Sequence, residues 1–278
     1  MGMAINNNLM ANNAYRNLNN TQNDVSKSME KLSSGLRINR AADDAAGLAI
    51  SEGLKSQVSG SAVAARNAQD GISMIQTTEG ALGEVTSVLQ RMRDLAVQGS
   101  SDTNNAASRT AIKKEADSLG KELDRITQST NFNGINLLQA GSKNIQVGTG
   151  GTANDTISVT LGDVATAAGT LSSSTGATGF DVSTNAAAQT TITAIDAAIT
   201  TVSAQRSDLG ANQNRLEHAV KTLNVSGENL QAAQSRIADT DMAAEMVKYT
   251  KANILSQAGT AMLAQANQSG QGVLSLLR

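Results

Sequence analysis

The 278-residue chain contains no cysteine, no proline and no tryptophan, and it has only two phenylalanines and two tyrosines. The lack of cysteine excludes disulfide bonds and thiolate chemistry. The lack of proline removes the strongest helix breaker, which favours long and uninterrupted helices. Because large rings usually dominate burial in a thick globular core, the scarcity of aromatic residues favours closely spaced helices that pack through alanine and aliphatic side chains.

A strong charge imbalance and long apolar runs are also absent from the sequence. The formal net charge is -2, with 22 basic against 24 acidic residues, so we expect no nucleic-acid partner. No stretch approaches the roughly 18 apolar residues of a membrane-spanning helix, so we expect no membrane insertion. The N-terminus lacks the basic head and apolar core of a cleavable secretory signal, but specialised export systems recognise other features.

The most regular pattern is a stripe of mostly apolar residues that begins at Ile192 and ends at Ile237. Its members are separated by alternating steps of three and four residues, which places their side chains on one face of an α-helix. Such a helix would be roughly 70 Å long, far beyond the usual length in globular proteins. Arg206, Gln213 and Gln234 interrupt the narrow stripe, which indicates a coiled-coil seam that requires partner helices.

Two earlier segments supply these partner helices. Residues 45–98 carry apolar positions every seven residues, and residues 104–129 carry them in steps of four and three, as in a coiled coil. The first seam contains Ile75, Leu82, Val85, Leu89, Met92 and Ala96, and the second contains Ile112, Ala116, Leu119, Leu123 and Ile126. Asp102 or Thr103 is expected to cap the second of these helices.

The region between the bundle helices, residues 131–189, carries almost no charge. Two short stretches alternate apolar and polar residues on either side of a glycine-rich turn, which predicts a β-hairpin followed by a loop of small residues. The apolar positions are Ile145 and Val147, then Ile157, Val159 and Leu161. We therefore assign residues 45–130 and 190–240 to an inner helical-bundle domain and residues 131–189 to a short variable β-hairpin and loop region.

Both ends of the chain carry a further narrow helical stripe, and pairing residues 1–40 with residues 241–278 predicts a terminal coiled coil. The positions that we assign to self-assembly are Ile5, Leu9, Leu18, Val25, Met29, Leu32 and Leu36, together with Val247, Ile254, Leu255, Met262, Val273, Leu274 and Leu277. The predicted fold is thus mainly α, with long coiled-coil helical rods from both chain ends, a small β-hairpin cap and two rod-like domains.

The energetics of the two chain ends indicate that they do not order alone. Each arm has about 35 residues, and ordering the backbone costs about 1–2 kcal/mol per residue before helix hydrogen bonds are counted. Burying one aliphatic side chain returns about 1.5–3 kcal/mol, and each arm has about six to eight of them. We therefore expect the arms to be loose in the free subunit and to order when many copies bury them together.

Several long blocks of the sequence closely resemble bacterial flagellin. They are KLSSGLRINRAADDAAGLAIS at 31–51, RNAQDGISMIQTTEGALGE at 66–84, LQRMRDLAVQ at 89–98, NFNGINLL at 131–138 and VLSLLR at 273–278. The resemblance covers nearly all of both chain ends and leaves residues 141–189, the region where flagellins vary. It implies a minimal flagellin with a filament-core domain formed by the termini and an inner rod-like domain, but without large outer domains.

The resemblance also implies a function and a set of partners. Flagellin subunits are exported unfolded through the flagellar type III apparatus and polymerise under a cap into an extracellular filament that the motor turns for swimming. Expected partners are identical copies of the chain, flagellar cap and junction proteins, and an export chaperone on the C-terminal arm. In the family, the stretch that matches Arg91, Leu95 and Glu115 is recognised by the animal innate Toll-like receptor 5 (TLR5).

Other functions remain as alternatives at this point. A hook–filament junction protein, or another coiled-coil component of type III systems, would share the terminal arms but would stop the polymer. Asp43 and Asp44 could suggest paired catalytic carboxylates, but an ion pair or helix cap with Arg37 and Arg40 is the favoured interpretation. His218, the single histidine, lacks the convergent partners that a general base or metal ligand needs. We therefore expect no enzyme and no cofactor.

Overall fold

The computed structural model describes residues 8–164 and 179–276, and it describes side chains only up to residue 268. Five α-helices dominate the described chain: α1 Leu9–Ser34, α2 Ala45–Ser100, α3 Ala106–Ser129, α4 Asn185–Ala238 and α5 Met242–Leu276. Two antiparallel hairpins lie between α3 and α4, formed by β1 Asn131–Phe132 with β2 Ile135–Asn136 and by β3 Gly141–Gln146 with β4 Thr156–Leu161. The predicted mainly α fold with a small β-hairpin is confirmed.

Local sequence signals account for several helix ends. The side chain of Asn8 accepts a hydrogen bond from the Ala11 N–H, and Gly35 ends α1 with a φ of 72°, a conformation that glycine adopts without strain. Asn105 caps α3 by accepting from the Ser108 N–H. The predicted caps at Asp102 and Thr103 are therefore wrong, because α2 continues to Ser100 and the chain needs the intervening residues to turn.

The chain divides into two compact units, and the division falls within α2 and within α4. The first unit contains the residues up to 57 and from 228 onwards, and the second contains residues 58–227. The domain boundaries that the sequence suggests, near residues 40 and 241, stay predictions.

The core of the second unit is built from the seams of α2, α3 and α4. Every predicted seam residue of α2 from Ile75 to Ala96 is fully buried, as are Ile195, Val202, Leu209 and Leu216 of α4. In α3, Ile112, Ala116 and Leu123 are buried, and Leu119 and Ile126 pack partly against the same core. The heptad pattern of the sequence therefore identified the packing faces of this bundle correctly.

The larger hairpin packs on the helices of the second unit. Its strands pair Gly141 with Leu161 and Ile145 with Ile157. Ile145 sits directly against Gly71 of α2, where any side chain larger than hydrogen would collide with it. Val147 lies just beyond the end of β3 and is only half-buried, so the predicted alternation holds for four of its five apolar residues.

Candidate assembly surface

The first unit pairs α1 with α5, the two helices formed by the ends of the chain. Near one end of the pair, the Asn8 side-chain amide donates to the Ala266 carbonyl at 2.9 Å. Near the other end, the Ser28 hydroxyl donates to the Glu245 carboxylate at 2.7 Å. Because low numbers in α1 meet high numbers in α5, the two helices are antiparallel.

The face of α5 that meets α1 is made largely of small or polar residues. Seven buried or half-buried positions step by four and three residues, as in a coiled-coil seam. They are Glu245, Tyr249, Ala252, Ser256, Gly259, Leu263 and Ala266. A Cβ atom added to Gly259 would lie 3.3 Å from the Leu18 side chain, so the absence of a side chain permits the close approach of the two helices. We call this surface the inner face of α5.

The large apolar side chains of α5 lie elsewhere on the helix and are exposed to solvent. Met246, Val247, Ile254, Leu255 and Met262 are between 50% and 69% exposed. We call these five residues the outer face of α5. Met246, Val247, Ile254 and Leu255, together with Thr250 and Lys251, line a shallow and mainly apolar groove.

These positions correct one prediction. Val247, Ile254, Leu255 and Met262 do not form the seam with the N-terminal helix, because the small residues of the inner face allow closer packing and occupy that position instead.

The predicted positions of α1 divide in the same way. Leu18 is buried, and Val25 and Leu32 are partly buried, on the side that meets α5. Leu9 and Met29 are exposed. Leu36 follows the end of α1 and is 38% exposed. The remaining predicted positions, Ile5, Val273, Leu274 and Leu277, lie outside the residues whose side chains the structure describes.

Exposed apolar side chains are concentrated in the first unit. Of the sixteen large apolar side chains that are exposed in the described chain, twelve belong to this unit and four to the larger second unit. Monomeric soluble proteins rarely leave large apolar patches in water, and such patches usually mark interaction surfaces. The first unit is therefore the part of the molecule best suited to contact another protein.

The segment after α1 is tied by its backbone to the turn between α4 and α5. The Arg37 N–H donates to the Ala238 carbonyl at 2.7 Å, and the Thr240 N–H donates to the Gly35 carbonyl at 3.0 Å. The Arg37 guanidinium adds bonds of 2.7 and 3.2 Å to the Ile237 carbonyl. These contacts hold the C-terminal end of α1 beside the start of α5.

The two neighbouring aspartates of this segment act as local caps. The Asp43 carboxylate accepts the backbone N–H groups of Arg40 and Asn39, and these bonds hold its pKa below the ordinary value. Asp44 accepts the Gly47 N–H at 2.8 Å at the start of α2. The Arg40 side chain pairs with Glu30 at 2.9 Å instead of with either aspartate. Of the two roles predicted for this pair, the structure supports the cap.

Glu245 is a buried carboxylate in the interface between the terminal helices. Its side chain is 6% exposed and also contacts the Lys248 ammonium at 3.0 Å. The hydrogen bond from Ser28 is the main cause that lowers the pKa of Glu245, and Lys248 and the charge of Lys31 add to it against the opposing effect of burial. The carboxylate is therefore charged at neutral pH, and its charge is satisfied within the first unit.

The three residues predicted for receptor recognition lie in the second unit in two different environments. The Arg91 guanidinium binds one oxygen of Glu115 through bonds of 2.6 and 3.0 Å, and both side chains are exposed. Leu95 is only 2% exposed and packs in the helical core. The structure thus brings Arg91 and Glu115 together on the surface, while recognition by the receptor stays a prediction.

A metal-binding cluster is not seen in the part of the chain that the structure describes. Among residues 8–164 and 179–276, no three His, Cys, Asp or Glu side chains are grouped to hold a metal ion. His218 is exposed. The same described residues contain no helix long and apolar enough to cross a membrane.

Sequence reasoning missed two features of the terminal pair. Met246 belongs to the outer face of α5 but was not included among the predicted positions. The inner face was missed because its residues are small, although Glu245, Ala252, Gly259 and Ala266 recur every seven positions. That heptad spacing was the available signal.

Comparisons with known proteins agree with this architecture. Residues 5–144 match the family model of the bacterial flagellin N-terminal helical region, and residues 192–277 match that of the C-terminal helical region. The flagellin of Halalkalibacterium halodurans is 51% identical over 276 residues, covering 99% of this chain and 100% of that protein. The flagellin of Bacillus subtilis is 47% identical over 304 residues, with coverage of 99% and 100%.

Among solved structures, the crystal structure of Bacillus cereus flagellin is 33% identical and covers 57% of this chain and 88% of that chain, with a TM-score of 0.49. The two family models together span most of the sequence, and the relatives match it from end to end. The chain therefore belongs to the bacterial flagellin family.

Proposed function

We propose that this chain is the structural subunit of an extracellular bacterial flagellar filament and that it polymerises with identical copies for swimming motility. The observation that carries the proposal is the set of exposed apolar side chains on the terminal helices of a chain that belongs to the flagellin family. Flagellins are structural proteins and not enzymes. A hook–filament junction protein is not favoured, because the matching full-length relatives are flagellins.

The outer face of α5 supplies a driving force for assembly. Fully burying a side chain such as Val, Leu, Ile or Met is worth about 1.5–3 kcal/mol, so its five residues offer an upper limit of about 7–15 kcal/mol per subunit. A surface patch that docks on a different patch of the next copy makes a head-to-tail contact, and where the rotation between copies does not close into a ring, repetition of that contact produces a helical filament. Leu9, Met10, Tyr15 and Met29 of α1 are exposed as well, but they are spread around and along the helix and do not form a single patch.

The terminal helices gain order when they assemble. Within the isolated first unit, the pair of α1 and α5 buries few large side chains, with Leu18 as the main apolar contact and small residues opposite. Helices with so little packing are marginal in water. Contacts with neighbouring copies would cover the exposed faces and thereby stabilise both helices.

The other partners expected from the resemblance use the same surfaces. An export chaperone on the C-terminal arm would shield the outer face of α5 before assembly, since an apolar groove exposed on a free subunit invites aggregation. Cap and junction proteins would meet these faces at the two ends of the polymer. Toll-like receptor 5 would bind the exposed pair of Arg91 and Glu115, and the buried Leu95 would support α2 below this pair.

Charged substitutions on the outer face of α5 test the proposal. We expect Ile254→Asp and Met262→Asp to abolish seeded polymerisation, because each would bury an uncompensated charge between subunits. The matched control is Gln257→Asp, which adds the same charge at an exposed polar position of the same helix. Sedimentation and electron microscopy report filament yield, and circular dichroism checks that the variants keep their helices. Normal filaments from both Ile254→Asp and Met262→Asp would refute the proposed surface.

A further inference from the structure

The methionines of the chain fall into two groups. Of the nine, seven have described side chains, and Met10, Met29, Met242, Met246 and Met262 are 47–70% exposed. All five belong to the first unit. The other two, Met74 and Met92 of the second unit, are 6% and 0% exposed. Because the chain has no cysteine, these thioethers are its only sulfur groups.

Exposed thioethers react with two-electron oxidants such as hydrogen peroxide. The methionine sulfur gives up two electrons and gains one oxygen atom from the peroxide, which is reduced to water. The product is methionine sulfoxide, in which a polar S=O group replaces an apolar sulfur. Susceptibility follows exposure, so the two buried methionines of the second unit serve as internal references.

Two of the exposed methionines lie in the surface on which assembly depends. Met246 lines the same groove of α5 as Ile254 and Leu255, and Met262 belongs to the same outer face. A sulfoxide at either position would place a strong hydrogen-bond acceptor where the proposed interface offers apolar contacts. Burying such a group without a donor is unfavourable.

We propose that Met246 and Met262 are oxidation sites whose conversion to the sulfoxide prevents the free subunit from joining a filament, whereas assembly protects them. This inference rests on the proposed function, because it requires that neighbouring copies cover the outer face of α5. The modification is reversible in principle, since sulfoxide reductases restore the thioether. Oxidation would therefore act on subunits before polymerisation and spare the finished polymer.

The first experiment measures which methionines are oxidised to the sulfoxide, and how fast. The full chain is treated with hydrogen peroxide, once as free subunit and once as filament, and each methionine is followed by peptide mass spectrometry. In the free subunit, Met246 and Met262 should oxidise about tenfold faster than Met74 and Met92, in line with their exposed fractions. In the filament, Met246 and Met262 should slow toward the rate of the buried pair.

The second experiment measures polymerisation after oxidation. Its variants separate the effect of the α5 methionines from the effect of the α1 methionines. The double variant Met246→Leu/Met262→Leu conserves side-chain volume and should polymerise as well as the untreated protein and resist peroxide. The control variant Met10→Leu/Met29→Leu should remain sensitive to peroxide. Treatment of oxidised wild-type subunits with methionine sulfoxide reductases should restore filament formation.

The possible outcomes distinguish a failure of the proposed function from a failure of this inference about oxidation. If untreated wild-type subunits form no filaments, the proposed function fails. If they polymerise equally well before and after oxidation at Met246 and Met262, the proposed function stands and this inference is overturned. It is also overturned if Met246→Leu/Met262→Leu is as sensitive to peroxide as the wild type, because the damage would then lie at other positions.

Discussion

Removal of the Ser28 hydroxyl leaves the buried Glu245 carboxylate without its shortest hydrogen bond. A hydrogen bond to a charged group contributes about 1.5–3 kcal/mol, and because Lys248 still contacts the carboxylate at 3.0 Å, we expect a loss of about 1.5–2 kcal/mol in Ser28→Ala. At about 1.36 kcal/mol per factor of ten, amide exchange in α5 should become about 10- to 30-fold faster. The measurement is hydrogen exchange by mass spectrometry on assembled filaments at neutral pH.

The same bond gives the assembled protein a predictable response to acid. The bond from Ser28 is the main cause that places the pKa of Glu245 below its ordinary value of 4.5. A lowered pKa means that the stabilisation is present above the ordinary value and is lost as the pH falls through the folded value. Ser28→Ala raises the folded pKa toward the ordinary value, so its filaments should come apart at a higher pH than wild-type filaments.

Ser26→Ala is the matched control, because the Ser26 hydroxyl is exposed and donates only within α1, to the Gln22 carbonyl at 3.0 Å. Its exchange rates should stay within about threefold of the wild type, as expected for a surface substitution. Equal exchange rates and equal acid midpoints for Ser28→Ala and Ser26→Ala would refute the assigned role of the buried carboxylate.

Two further predictions concern the second unit, and both are checked by urea denaturation followed by circular dichroism. Leu89→Ala removes a fully buried side chain of the α2 seam and should cost about 2–5 kcal/mol, whereas Val97→Ala, 47% exposed on the same helix, should change stability by less than about 0.5 kcal/mol. Gly99→Ala should destabilise, because its Cβ would lie 2.7 Å from the Cβ of the buried Val182. Gly80→Ala has open space around it and should stabilise by about 0.5–1 kcal/mol. A Leu89→Ala midpoint equal to that of Val97→Ala, or a Gly99→Ala variant as stable as Gly80→Ala, would contradict the packing described.

Sequence patterns predicted the second unit well because its own helices bury its seams. The seven-residue spacing of Ile75, Leu82, Leu89 and Ala96 has one physical explanation, burial against partner helices of the same chain, and all four are fully buried. The short hairpin could be predicted for a similar reason, since residues that alternate in a two-stranded sheet have one face to bury.

The terminal helices were harder to predict, because their large apolar residues are not the ones that pack within the chain. The largest apolar residues of α5, such as Ile254 and Met262, attract attention as a seam, yet the single chain uses Ala252 and Gly259 for that purpose. One sequence does not reveal which of two stripes packs within the subunit and which stays exposed on it. The choice of Asp102 or Thr103 instead of Asn105 as the cap of α3 has a simpler cause. Several polar residues in one loop are chemically able to cap a helix, and the sequence alone does not say where the helix begins.

Hydrogen exchange compared between free subunits and filaments tests the central claim most directly. In the free subunit, amides of α1 and of α5 should exchange at least about tenfold faster than those of the α2 segment from Ile75 to Ala96, and polymerisation should slow them while leaving that segment unchanged. Terminal helices that are already as protected in the free subunit as the α2 segment, with no further change on polymerisation, would contradict the account.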